Sequence, residues 1–321
     1  MAEAAADTSP GGAPAAVVAG PEPSPAIHTV GLTKRYGANQ ALAGLTMSVP
    51  RGEVFGFLGP NGAGKTTADK LLLGLARATA GEGMVLGSAM GSVEARRVVG
   101  YLPELFRYQG WLRASEVLAL HLELARVERS EWPQEIARTL RTVGLAERGD
   151  DRVQTFSKGM QQRLGLGVAL LGHPQLVLLD EPTSALDPVG RHDVREVIRG
   201  LRERGVAVFL NSHLLSEVER VCDRVAIIDH GRVVAEGSLE QLLATTGVRI
   251  NCRGLDQAGL DQLRNFGSVS VEADWLVLAG VAPERVPELV REIVGLGGQV
   301  YAVDPGQETL EERFLQLVEG E

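Results

Sequence analysis

The sequence predicts an α/β fold: a largely parallel sheet with helices on both faces, an antiparallel β edge and a helical subdomain, followed by a small α+β domain. Three observations carry this. Short, unbroken apolar runs such as Val54-Phe55-Gly56-Phe57-Leu58 and Leu176-Val177-Leu178-Leu179 alternate with segments of helical period, the pattern of strands buried on both faces. The segment from Arg113 to Val143 has apolar residues at helical spacing in two pieces, divided near Ser130 and Pro133. Beyond Gly247 the rhythm changes to strand, helix, strand, strand, helix, strand.

Taken in order, Met1 to Ala26 is almost all Ala, Pro, Gly and Ser with a few acids, without a basic start and an apolar core, and reads as a disordered tail. From Ile27 to about Leu45 the pattern is short, β-branched and punctuated by glycine, which predicts edge strands. Val54 to Leu58 is a buried strand running into a glycine-rich loop, and Lys65 to about Ala76 a helix opened by that loop. Val98 to Leu102 reads as a strand, and a helical subdomain spans about 105–171. Helix and strand then alternate through Leu176–Leu179, Pro188–Arg204, Val206–Leu210, Leu214–Val221 and Val225–Ile228. A hairpin at Asp229-His230-Gly231-Arg232 and a short helix from Leu239 to Ala244 close a domain spanning 27–242.

The second domain, 247–321, is read as strands Val248–Cys252, Val269–Val271, Trp275–Ala279 and Val300–Val303 with helices Leu260–Phe266 and Pro283–Leu296. This is a ferredoxin-like order, with Thr309 to Val318 as a terminal helix. No catalytic constellation appears in it.

A net charge of −9 and a sequence pI near 5.3 argue against nucleic acid as the main partner, which usually meets a strongly basic face. The two cysteines, Cys222 and Cys252, have no metal-type spacing, so neither a disulfide framework nor a zinc site is expected, and a reducing compartment fits best. No apolar run approaches the roughly 20 residues that cross a bilayer. The chain is therefore expected to reach a membrane only through a partner.

Gly59-Pro60-Asn61-Gly62-Ala63-Gly64-Lys65-Thr66 fits the pattern G-x-x-x-x-G-K-S/T in full, between a strand and a helix. Gly62 and Gly64 let the backbone curl around a pyrophosphate, Lys65 places a charge between the terminal phosphates, and Thr66 offers a hydroxyl to Mg²⁺. Asp180 and Glu181 follow a buried strand, so both carboxylates emerge at a strand C-terminal end, where open α/β sheets bind ligands. Asp180 is expected to hold Mg²⁺, and Glu181 to orient or deprotonate an attacking water. His213 follows the next strand and could bond the γ-phosphate or that water, or simply cap a helix. A second glycine-containing helix start, Phe156-Ser157-Lys158-Gly159-Met160-Gln161-Gln162-Arg163, also suits phosphate. One nucleotide has no evident need for both loops from one subunit.

Across roughly Ile27 to Leu242 these residues resemble the nucleotide-binding subunit of an ATP-binding cassette (ABC) transporter. The matching elements, in order, are Gly59 to Thr66, Gly100-Tyr101-Leu102-Pro103-Glu104, Ser157 to Gln162, Leu178-Leu179-Asp180-Glu181-Pro182, Ser184-Ala185-Leu186-Asp187 and Asn211-Ser212-His213. The variants around Tyr101 and Phe156, with the ending Glu308 to Phe314, look like the ABC-2 exporter branch, which includes drug-efflux and NatA- or CcmA-like ATPases.

The resemblance implies a P-loop NTPase cassette that binds ATP and Mg²⁺. Its loop residues Gly59, Pro60, Asn61, Gly62, Ala63, Gly64, Lys65, Thr66 and Thr67 would hold ATP, and Tyr36 would stack on adenine. Thr66, Asp180 and Glu104 would hold the metal, while Glu181, His213 and Lys65 would be catalytic. Glu104 replaces a more usual glutamine; it can still offer an oxygen to Mg²⁺ but lacks the amide donor. Lys158 and Met160 replace the usual glycine and glutamine of the signature, and Lys158 is expected to project into solvent.

Further, Ser157 and Gly159 would reach ATP on the opposite subunit, and Asp187 would lie at the interface of a homodimer or of a pair with a closely related cassette. The aromatic stretch Leu105 to Leu112 would receive a helix from an integral-membrane permease, or else pack within the helical subdomain. Such a subunit is cytoplasmic, peripheral on the inner face of the cell membrane and in contact with it only indirectly. The domain 247–321 would be accessory or regulatory. A soluble or regulatory cassette ATPase, acting as an ATP-driven switch on a non-transport complex, is the alternative.

Overall fold

The computed structural model describes residues 24–243, 247–272, 274–304 and 309–319. Most of the expected tail, with Ala244 and Glu308 of the expected helix end and C-terminal motif, lies outside them. The chain opens with β1 (Ile27–Tyr36), β2 (Asn39–Val49) and β3 (Val54–Leu58). Helix α1 (Lys65–Leu72) leaves the phosphate loop, followed by β4 (Ala80–Val85), β5 (Ser88–Ala89), α2 (Val93–Arg97) and β6 (Val99–Leu102). Helices α3 (Ala114–Leu124), α4 (Trp132–Thr142) and α5 (Lys158–Ala169) form the insert. The core resumes with β7 (Leu176–Asp180), α6 (Pro188–Glu203), β8 (Ala207–Asn211), α7 (Leu215–Val221), β9 (Arg224–Asp229), β10 (Arg232–Ser238) and α8 (Leu239–Leu242).

The strands β10-β9-β3-β8-β7-β6 form a six-stranded sheet, parallel except for the β9–β10 hairpin. Every residue of β3, β7 and β8 is buried, because their alternate side chains enter two different cores. Val54, Leu58, Val177, Leu179, Val208 and Leu210 face the helical insert. Phe55, Phe57, Leu176, Leu178 and Phe209 face the antiparallel sheet β2-β1-β4-β5. His230 and Gly231, both in the left-handed region, make the tight turn of the hairpin, as expected.

Ala26, inside the expected tail, is buried and donates its N–H to Val49 O at 2.8 Å, so the β1–β2 ladder already includes it. The first helix stops at Leu72, short of Ala76, because Gly74 turns left-handed (φ 70°) and Lys70 O collects the N–H groups of Leu75 and Ala76. Beyond residue 247, β11 (Gly247–Arg253), α9 (Gln257–Leu263), β12 (Ser268–Glu272), β13 (Trp275–Ala279), α10 (Val286–Gly295) and β14 (Gln299–Asp304) give the expected order. Their sheet runs β12-β13-β11-β14, antiparallel throughout, which is ferredoxin-like topology. Helix α11 (Leu310–Glu319) leaves that sheet: Leu310 is 0% exposed within the helical-insert core, and Phe314, Leu317 and Val318 pack against it. Its first turn is held by Leu310 N–H donating to Glu219 Oε2 on α7 at 3.3 Å.

Candidate active site

The phosphate loop lies where β3 ends and α1 begins. Gly64 caps α1 at φ 111°, and a Cβ there would come within 2.5 Å of Ala41 O, so only glycine closes the loop against β2. Lys65 folds back over the loop, donating from Nζ to Gly59 O at 2.6 Å and to Pro60 O at 3.1 Å. Burial pulls its pKa below the ordinary lysine value, while Glu181, Asp180, Asp69 and Glu104 oppose that shift. The hairpin turn closes the far side, with Gly231 N–H donating to Ala63 O at 3.0 Å.

A cavity of about 670 Å³ opens over this loop. Asn61, Gly62, Gly64, Lys65, Thr66 and Thr67 line its floor, Glu104, Asp180, Glu181 and His213 one wall, and Tyr36 with Asn39, Gln40 and Ala41 the other. Its mixed polar and apolar lining over bare loop amides suits a nucleotide. Tyr36 is half exposed, and the Lys34 ammonium lies 4.7 Å from its ring centroid. Gly59, Pro60 and Ala63 do not line the cavity; the first two act on it by fixing Lys65.

Asp180 is the last residue of β7 and is buried. Burial first, then the charges of Glu104 and Glu181, push its pKa up to about 6. That crowding of carboxylates beside a threonine hydroxyl is relieved by a divalent cation, so Thr66, Asp180 and Glu104 fit Mg²⁺. Among the described residues no cluster of three or more His, Cys, Asp or Glu holds a metal by itself. Phosphate oxygens would have to complete the set.

Glu181 stands in the left-handed region at φ 52°, a strained conformation for a glutamate. Its backbone is tied on every side: its N–H donates to Asn211 O at 2.9 Å, and its carbonyl accepts from Ser184 Oγ at 3.1 Å and Gln162 Nε2 at 3.3 Å. The side chain reaches His213, whose N–H donates to Oε1 at 2.9 Å and whose Nδ1 lies 2.7 Å from Oε2. The second contact is a close approach without hydrogen-bond alignment, and Oε2 is buried with its acceptor capacity open. His213 therefore belongs with the acids, and Leu214, the residue after it, caps α7.

Ser157, Gly159 and Asp187 do not reach this cavity. Ser157 caps α5, accepting from Met160 N at 3.2 Å, and Asp187 caps α6, accepting from Gly190 N at 2.8 Å. Lys158 is exposed, as expected. The stretch Leu105 to Leu112 divides: Phe106, Tyr108 and Leu112 pack inward, whereas Leu105 (87%) and Trp111 (70%) are exposed. Phe106 turns in because a Cβ on Gly165 of α5 would stand 2.5 Å from its Cζ, so the glycine leaves the ring its place.

Two buried residues beside the site, Gln162 and Asp69, have no role predicted by the sequence motifs. Gln162 is buried and bonds the carbonyls of Glu181 and Pro182, joining the signature helix to the acids. Its place in the signature was the available signal. Asp69 had none.

A family model described as ABC transporter matches residues 42–184. The linearmycin resistance ATP-binding protein LnrL of Bacillus subtilis is 34% identical over 303 residues, covering 91% of this chain and 97% of the relative. The Nod factor export ATP-binding protein I of Rhizobium meliloti is 35% identical over 309 residues, covering 94% and 90%. In fold, the chain is similar to the dimeric ATP-binding cassette MJ0796 in a post-hydrolysis state bound to ADP and phosphate, with a TM-score of 0.61, 23% identity, and coverage of 66% of this chain and 98% of that one. The chain belongs to the ATP-binding subunits of ABC transporters, the ATPases of that family.

Proposed function

We propose that two copies of this chain bind Mg²⁺ and ATP head to tail and drive a separate ABC-2 type permease as an exporter. The observation that carries this is an open cavity lined by the phosphate loop, both acids and His213, whereas Ser157 and Gly159 present a second phosphate-suited helix start outside it. A second copy, turned head to tail, would bring its Ser157 and Gly159 to that open side, with Asp187 at the contact. The fold relative bound to ADP and phosphate is described as dimeric, and the two named relatives are described as serving linearmycin resistance and Nod factor export.

In this reading Lys65 and the loop amides hold the terminal phosphates, and Tyr36 offers its ring to adenine. Thr66, Asp180 and Glu104 would hold Mg²⁺, which supplies charge neutralisation on the phosphates. Glu181 Oε2 takes a proton from the water that attacks the γ-phosphorus as the bond to the leaving ADP oxygen breaks. His213 holds Glu181 in position through its backbone N–H, with its ring close to Oε2.

Among the described residues no helix is long and apolar enough to cross a membrane, so the transport path is assigned to another polypeptide on whose cytoplasmic face this subunit docks. Leu105, next to Glu104, and Trp111 supply exposed anchors for it. Gentle detergent co-purification should recover an integral-membrane permease, and Trp111→Ala should weaken that recovery while ATP hydrolysis by the free subunit persists. Recovery of ribosomes or DNA instead would overturn the reading.

A further inference from the structure

Asp69 lies on α1, just beyond the phosphate loop, and no motif accounts for it. It is 1% exposed, and among the described residues it forms no ion pair. An ionised carboxylate so placed would be costly. Among the described residues its one side-chain hydrogen-bond partner is Asn211, whose Nδ2 donates to Asp69 Oδ2.

The hydrogen-bond count across that contact does not close. Asp69 Oδ1 and Asn211 Oδ1, the remaining oxygens of the same two side chains, are both buried and both without a partner. Both are acceptors, so neither can satisfy the other unless a proton is present. One proton on Asp69 satisfies both at once and removes the buried charge. The surroundings agree: burial first, then the charge of Asp180, push the Asp69 carboxyl well above the usual range, against Asn211 and Lys65.

We propose that Asp69 is a positioning residue of the hydrolytic centre, a neutral acid in a reciprocal pair with Asn211, in which Asn211 Nδ2 donates to Asp69 Oδ2 and Asp69 Oδ1–H donates to Asn211 Oδ1. Its effect passes through Asn211. That residue ends β8 in register with Asp180, accepts the N–H of Glu181 on its carbonyl at 2.9 Å, and stands two residues before His213. The pair thus pins the phosphate-loop helix to the strand end that fixes Glu181 in its left-handed conformation. The role rests on the assignment of Glu181 as proton acceptor.

The test uses the full chain with Asp69→Asn, Asp69→Leu and Asp69→Ala. Asp69→Asn replaces the acid–amide pair by an amide–amide pair with both bonds intact, so kcat should stay within about threefold of wild type. Asp69→Leu and Asp69→Ala strand the Asn211 amide, and kcat should fall about tenfold or more while KM for ATP changes little. Infrared spectroscopy at neutral pH should show a protonated-carboxyl C=O band in the wild type that Asp69→Asn lacks. The absence of that band, an Asp69→Asn enzyme as slow as Asp69→Ala, or an Asp69→Leu enzyme at the wild-type rate would overturn the proposal. If the apolar variants fail to fold, the band and Asp69→Asn still decide it. Normal turnover by Glu181→Gln would instead remove the Glu181 assignment and leave the band untouched.

Discussion

His213 holds Glu181 by donating its backbone N–H to Oε1 at 2.9 Å, while its Nδ1 lies 2.7 Å from Oε2 without hydrogen-bond alignment. The base is therefore held by a residue just beyond the end of β8, and moving that strand end moves the base. Glu181→Gln keeps the shape and removes the proton acceptor. Its ATP hydrolysis should fall about a hundredfold or more with nucleotide binding retained, so that ATP stays trapped. Unchanged hydrolysis would refute the assigned role.

Asp180 gives a pH dependence whose sign follows from its raised pKa. The folded state favours the protonated form, so ionisation between the ordinary value of 3.8 and about 6 removes stability from the nucleotide-free protein. Asp180→Asn carries no such charge. Its thermal midpoint relative to wild type should rise as pH increases from below 4 to above 6, and without Mg²⁺ and ATP this should be plain in a melting series. A difference that is flat across this range would contradict the crowding of Asp180 by Glu104 and Glu181.

Gly165 and Phe106 give a packing test. Adding side-chain atoms at Gly165 forces the ring from its place on α5, so Gly165→Val should cost about 1–3 kcal/mol in denaturant unfolding. It should also disturb the adjoining Leu105 and Trp111. Wild-type stability in this variant would show that the ring has another place to go.

Much of this is legible in the sequence. The parallel strands could be read because burial on both faces demands unbroken apolar runs, and Lys65, Thr66, Asp180, Glu181 and His213 because phosphate and metal chemistry restricts residue type and spacing. What was missed depends on contacts distant in sequence. Strand β4, Ala80-Gly81-Glu82-Gly83-Met84-Val85, has neither strand composition nor period and exists through its pairing with β1. Helix α11 reads as part of the C-terminal domain, yet its apolar face finds the core beside α7. Asp69 looks like an ordinary polar helix position until the fold seals it against Asn211.

A site shared between two copies can be rebuilt by mixing two inactive variants. Lys65→Ala disables the phosphate loop, and Ser157→Arg blocks the signature with a bulky cation. In a head-to-tail dimer of one of each, the intact loop of the Ser157→Arg chain faces the intact signature of the Lys65→Ala chain, which rebuilds one complete site. Each variant alone should be inactive, the mixture should hydrolyse ATP, and wild-type activity should rise more than linearly with protein concentration. A mixture as inactive as its components, with wild-type activity linear down to a strict monomer, would contradict the shared site.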